Sequence, residues 1–246
     1  MESNTLVQHS LVGQPYGFSA TGLDELGATE YTLVTIAVDA SGSTFSFKQE
    51  MEKCIQEVIK SCKYSPRADN LMIRLVSFNH NMKEIHGFKQ LPDCNLSDYD
   101  NFLNPAGTTL LFETVLNAIN ATNTYGEELA KNDYGANAII VVITDGMDNE
   151  SGSIDASKVG KALSKITTDE HLESIVSILV GVGVGVTHDV DQYLDTFKQE
   201  SGFSQYISMK DATEKTFAKL NNFISKSISS QSSSLGTGGP SQPLQF

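Results

Sequence analysis

The chain has 246 residues and carries 17 Lys and Arg against 30 Asp and Glu, a formal net charge of −13. That acid excess argues against a non-specific nucleic-acid binder, which needs a basic face, and against a peripheral membrane protein, because anionic leaflets attract basic patches. The length allows a sizeable core without disulfide or metal staples, and no stretch approaches the roughly 20 apolar residues of a membrane span.

Residues 1–13 contain no Lys or Arg and no long apolar run, so they do not read as a signal peptide. Gly13, Pro15, Gly17, Gly22 and Gly27 punctuate residues 1–30, which read as an extended arm and not a packed element. Leu6, Val7, Leu11, Tyr16, Phe18 and Leu23 in that arm need a surface to lie on, on the domain or on a partner. Residues 31–38 (YTLVTIAV) are apolar and β-branched, a buried strand that ends at Asp39. Phe47, Met51, Cys54, Ile55, Val58, Ile59 and Cys62 then recur at offsets of three and four, one face of an amphipathic helix. Residues 71–78 form the next strand, Asn79, His80 and Asn81 a turn, and residues 82–88 an antiparallel return at the sheet edge. Residues 91–106 read as a polar loop, followed by a helix with Leu111, Val115, Ala118, Ile119 and Thr122 on one face.

Residues 138–144 (AIIVVIT) are the most apolar strand and end at Asp145. A helix through Ile154, Val159, Leu163 and Ile166, a strand at 174–181, a helix that Gly202 stops, and a short strand at 205–209 follow. Asp211 and Glu214 have capping-box spacing before a last helix bearing Phe217, Leu220, Phe223 and Ile224. Strands alternating with helices predict an α/β fold, a doubly wound and mostly parallel six-stranded sheet with helices on both faces and one antiparallel edge strand. The expected organisation is an arm at 1–30, one domain at 31–228 and a tail at 229–246. Ser, Gly and Pro enrich the chain from Ser225 onward, which predicts disorder there, with Leu244 and Phe246 free to dock on a partner or on the domain's own edge.

Three loops carry the chemistry: Asp39-Ala40-Ser41-Gly42-Ser43, Gly107-Thr108-Thr109 and Thr144-Asp145-Gly146. All fall at the C-terminal ends of strands, where open α/β sheets bind ligands. Two carboxylates and three hydroxyls are hard oxygen donors, suited to Mg²⁺, Mn²⁺ or Ca²⁺ and not to zinc. Gly42 is expected to permit the sharp turn of the first loop. Only two formal charges would surround the ion, so a further carboxylate from outside would be attracted to it.

These loops, in this order, resemble the metal-ion-dependent adhesion site (MIDAS) of von Willebrand factor A domains, over about residues 31–228. The resemblance implies a Rossmann-like fold with the six strands in the order 3-2-1-4-5-6. It also implies that Asp39, Ser41, Ser43 and Asp145 hold Mg²⁺ directly or through water. The family's Gly-Gly-Thr-x-Leu pattern aligns best on Thr109, given Leu111-Phe112-Glu113-Thr114, with Thr108 the lesser candidate. Thr108, Asp148 and Asn149 are candidates for a partner-binding rim, with Glu150 close by; a solvated loop is the plainer reading of those acids. The expected function is a non-enzymatic, metal-dependent protein-interaction module, an adaptor or regulator in an intracellular bacterial or phage complex, whose partner supplies an Asp or Glu. Resemblance alone suggests a MoxR-type AAA+ ATPase or a kinase and phosphatase pair as partners. A phosphatase-like metal-dependent hydrolase and a self-assembling structural protein are the alternatives.

Other signals weigh little. The run Gly181-Val-Gly183-Val-Gly185 lacks a dinucleotide fingerprint. Ser41 stands where dehalogenase-type phosphatases carry a second acid. His9, His80, His86, His171 and His188 show no ligand spacing, and His80 reads as a solvated turn residue near the metal end. Cys54, Cys62 and Cys94 include no Cys-x-x-Cys, which points to a reducing, cytoplasmic location.

Overall fold

In a computed structural model, which describes residues 6–185, 188–237 and 244–246, strands and helices alternate as the sequence pattern requires. The strands are β1 (Leu6–His9), β2 (Phe18–Thr21), β3 (Glu30–Asp39), β4 (Leu71–Phe78), β5 (Met82–Gln90), β6 (Gly135–Thr144), β7 (Ile175–Val182) and β8 (Gln205–Met209). The helices are α1 (Lys48–Lys63), α2 (Leu111–Lys131), α3 (Ala156–Thr168), α4 (His188–Ser201) and α5 (Glu214–Ser234). One sheet runs in the order β1-β2-β5-β4-β3-β6-β7-β8. Within it the six strands from β3 onward take the expected order.

Strand alternation divides the core between two faces. Val34, Ile36 and Val38 of β3 pack with α1 and α5 residues such as Ile55, Val58, Leu220 and Ile224. Leu33 and Ala37, one residue out of phase, pack with Val115, Ile119, Val159 and Leu194 of α2, α3 and α4. A central strand buried on both faces needs a continuous apolar run, which is what residues 31–38 supply. β3 pairs in parallel with β4 and β6, with Asp39 opposite Phe78 and Val38 opposite Ile143. That register ends β3 and β6 at the same level, so the chemistry-bearing loops leave the sheet together.

Three expectations are corrected. The sheet has eight strands, not six, because the arm is a packed part of it. β1 pairs antiparallel with β2, and β2 lies parallel to β5 through Ala20 and Phe88, so β5 is an inner strand. Gly87 makes this approach possible: a Cβ there would stand 1.9 Å from the Ser19 carbonyl oxygen. Beneath the arm, fully buried Arg74 donates from Nε to Glu84 Oε2 at 2.7 Å, and Glu84 Oε1 accepts from the Ser19 amide and hydroxyl. Residues 1–5 of the arm lie outside the described residues.

Second, the chain beyond Ser225 is helical to Ser234. Ile228 continues the buried stripe of Ile224, and buried Gln231 donates to the Ala138 carbonyl at 3.0 Å while its own carbonyl accepts from Asn137 at 2.6 Å. Some of its serines donate to the preceding turn, Ser225 to the Asn221 carbonyl and Ser233 to the Ser229 carbonyl. Residues 238–243 of the expected tail lie outside the described residues. Leu244 packs on the core and the Phe246 ring meets Phe223 edge-on at 5.6 Å, so these apolar residues rest on the domain itself.

Third, the capping box before α5 is Thr213 with Thr216, not Asp211 with Glu214. The segment read as a polar loop at 91–106 also buries Leu91, Tyr99, Phe102 and Leu103 against α1's side of the core.

Candidate metal centre

The first loop is built by its own side chains. Asp39 Oδ1 accepts from the Ser41 amide at 2.7 Å, which bends the chain back over the end of β3. The Ala40 amide donates to the Phe78 carbonyl at 2.6 Å, and Thr44 donates from Oγ1 to the Ser41 carbonyl at 2.9 Å. Gly42 donates to the Gly107 carbonyl at 3.1 Å, and Ala106 to the Ala40 carbonyl at 2.9 Å, so the first and second loops are tied together. The expectation for Gly42 is corrected: a Cβ there would make only ordinary contact, 3.6 Å from the Gly107 oxygen. The turn that requires glycine is at Gly107, with φ +68°.

The side chains then converge. Thr144 Oγ1 donates to Asp39 Oδ2 at 2.6 Å. Ser43 Oγ donates to Asp145 Oδ1 at 2.9 Å, and the Ser41 and Ser43 hydroxyls lie 3.2 Å apart. Thr109 is buried and its hydroxyl faces the third loop, 3.6 Å from where a Cβ on Gly146 would stand. Thr108 turns away and donates to Glu150 at 2.6 Å. Of the two threonines, the geometry therefore places Thr109 with the cluster.

The rim candidates are engaged in building the loops. Asp148 accepts from the Phe112 amide at 3.0 Å in the first turn of α2, where a carboxylate suits the free amides of a helix start. Asn149 accepts from the Thr109 amide at 2.7 Å and returns its own amide to the Thr109 carbonyl at 3.1 Å. These two residues set the position of Thr109. Sequence reasoning gave no role to Thr144 beyond its place in a motif; only the pairing of β3 beside β6 makes its hydroxyl a partner of Asp39.

The electrostatics are unfavourable as they stand. Burial pushes the Asp39 carboxyl up to about 7, with the neighbouring Asp145 adding to it and hydrogen bonds from Thr144 and Ser41 opposing. Burial also raises Asp145 against the Ser43 hydrogen bond. Neither carboxylate meets a Lys, Arg or His among the described residues. Nor do three His, Cys, Asp or Glu side chains gather as a metal site among them; two carboxylates and three hydroxyls make up this cluster. Cys54 and Cys62 are buried thiols pushed up to about 12, inert packing groups.

Solved structures share this fold. Proximal thread matrix protein 1 of the mussel byssus superposes with a TM-score of 0.54 at 16% identity, over 81% of this chain and 46% of that one. The same protein has been solved with zinc in its MIDAS motif. A mutant of the minor pilin PilB from Streptococcus sanguinis gives 0.55 at 16% identity, over 85% of this chain and 65% of that one. The pilus adhesin SpaC from Lactobacillus rhamnosus GG gives 0.58 at 10% identity, over 94% of this chain and 36% of that one. The chain thus spans less than two thirds of the length of each. Among curated protein sequences none matches it. Residues 34–231 match the family model for the von Willebrand factor type A domain, and the chain belongs to that family.

Proposed function

We propose that this domain is a metal-dependent docking module, in which Asp39, Ser41, Ser43, Thr109 and Asp145 hold a divalent cation and an Asp or Glu of a protein partner completes its coordination. The observation that carries this reading is the approach of buried Asp39 and half-buried Asp145, two carboxyls linked through Ser41 and Ser43, with no ion pair to either among the described residues. Oxygen donors alone favour Mg²⁺, with Mn²⁺ or Ca²⁺ as substitutes. The mussel byssus protein of the same fold has been solved with zinc in its MIDAS. When bound, the ion would supply positive charge and an open coordination position.

The chain's own residues support docking better than turnover. Ser41 stands two residues after Asp39, where an Asp-x-Asp phosphatase carries its general acid, so Asp39 lacks that acid–base partner. Phe45, three residues after Gly42, is 76% exposed and offers an apolar contact next to the cluster. Three unpaired, buried cysteines suit a reducing compartment and hence an intracellular adaptor. No helix among the described residues is long and apolar enough to cross a membrane.

The test is an affinity capture from the native host in Mg²⁺ and in EDTA, with Asp39→Ala and Ser41→Ala as controls. A partner lost in EDTA and with both variants, while circular dichroism shows each variant folded, is the expected result. A partner retained throughout moves the function to another face.

A further inference from the structure

Beside the metal cluster lies a cavity of about 250 Å³, lined by Ala40, Asn79, His80, Lys83, Phe102 and Asn104. Ala40 sits between Asp39 and Ser41, so cavity and cluster share a wall. Its rim is fixed. Asn79 Oδ1 accepts from the Asn81 amide at 3.0 Å, and the Asn79 carbonyl accepts from the Leu110 amide at 2.8 Å, tying the β4–β5 turn to the start of α2. The His80 ring lies against Gly107, with Nδ1 2.6 Å from where a Cβ would stand; only glycine leaves it that room. His80 and Lys83 are both exposed, and neither has an acidic partner among the described residues.

In a chain of net charge −13, the surface as a whole repels an acidic segment. We infer that this cavity is a second docking point for a carboxylate, so that the partner segment carries two acidic residues, one for the metal and one for Lys83 and His80. Asn79 and Asn104 add amide donors to the same recess. An extended segment advances about 3.3 Å per residue, so a second acid two or three positions along reaches the neighbouring recess. The inference rests on the metal-docking reading above and adds to it the chemical class of the partner.

The experiment titrates the ¹⁵N-labelled chain in Mg²⁺ with two synthetic Gly/Ser peptides, one with a single Asp and one with two Asp separated by one or two residues. Both should bind in Mg²⁺ and not in EDTA. The two-Asp peptide should bind about tenfold more tightly, with shifts at His80 and Lys83, and Lys83→Gln with His80→Gln should erase that gain and leave single-Asp binding unchanged. Equal affinity for the two peptides in the unsubstituted chain overturns the inference and leaves metal docking standing. So does a loss of affinity for both peptides alike in the substituted chain. No Mg²⁺-dependent binding of either peptide overturns the docking reading, and this inference with it.

Discussion

Arg74 has no exposed surface, yet it keeps its charge through Glu84 and a second hydrogen bond from Nη2 to Asn117 Oδ1 at 2.9 Å. Burial lowers its proton affinity, and Glu84 opposes that in part. Removing one member of a buried ion pair strands the other charge, at a cost of about 3–5 kcal/mol. Glu84→Ala should therefore destabilise the domain by that amount in urea denaturation. A loss below about 1 kcal/mol would mean that water reaches the guanidinium and the pair is worth no more than a surface one. Nothing in the local sequence marks Arg74 as buried except its place among Leu71, Met72, Ile73, Leu75 and Val76. It is an inward position of a central strand, and the arm covers it.

At the scale of elements, the arm was the hardest to read. Four-residue strands separated by Gly and Pro lack the length over which alternation becomes visible, and β2 earns its place by contacts with residues about 65 positions away. Gly87 is the structural signature of that contact. Gly87→Ala drives a methyl into the Ser19 carbonyl, so β2 must shift or detach; overpacking of this kind costs about 1–3 kcal/mol. Limited proteolysis should then cut the segment between β1 and β2 faster than in the unsubstituted chain. Identical digestion patterns would show that the sheet absorbs the methyl without releasing the arm. The helix beyond Ser225 was obscured in a different way. Its serines resemble a linker in composition, while Ile224, Ile228 and Gln231 hold it to the sheet at helical spacing.

For the molecule as a whole, the proposed metal binding would be linked to folding. A ligand that binds only the folded state stabilises it by RT ln(1 + [L]/Kd), about 2.7 kcal/mol at one hundred times Kd. Here it would also offset the repulsion between buried Asp39 and half-buried Asp145, so the thermal midpoint should rise with Mg²⁺ or Mn²⁺ and return with EDTA. Asp39→Ala should remove that response. A midpoint unmoved by any divalent cation at millimolar concentration would refute the metal centre irrespective of partner.

The mainly apolar runs at 31–38, 71–78 and 138–144, alternating with amphipathic helices, by themselves pointed to a parallel, doubly covered sheet, because strands buried on both faces favour near-continuous apolar composition. The spacing Asp39-x-Ser41-x-Ser43, with Thr109 and Asp145, determined which oxygens could meet, because those residues stand at strand ends. The tertiary structure decided what local pattern cannot express. The register of β3 against β6 gave Asp39 its Thr144 partner. The Asn149 bridge to the Thr109 backbone, with Thr108 turned to Glu150, chose between two adjacent threonines. Gly107, not Gly42, took the left-handed turn, and the arm and the serine-rich helix found their burial only against strands distant in sequence. Each of these depends on a contact between segments far apart in the chain, and such contacts leave no periodicity in the residues that make them.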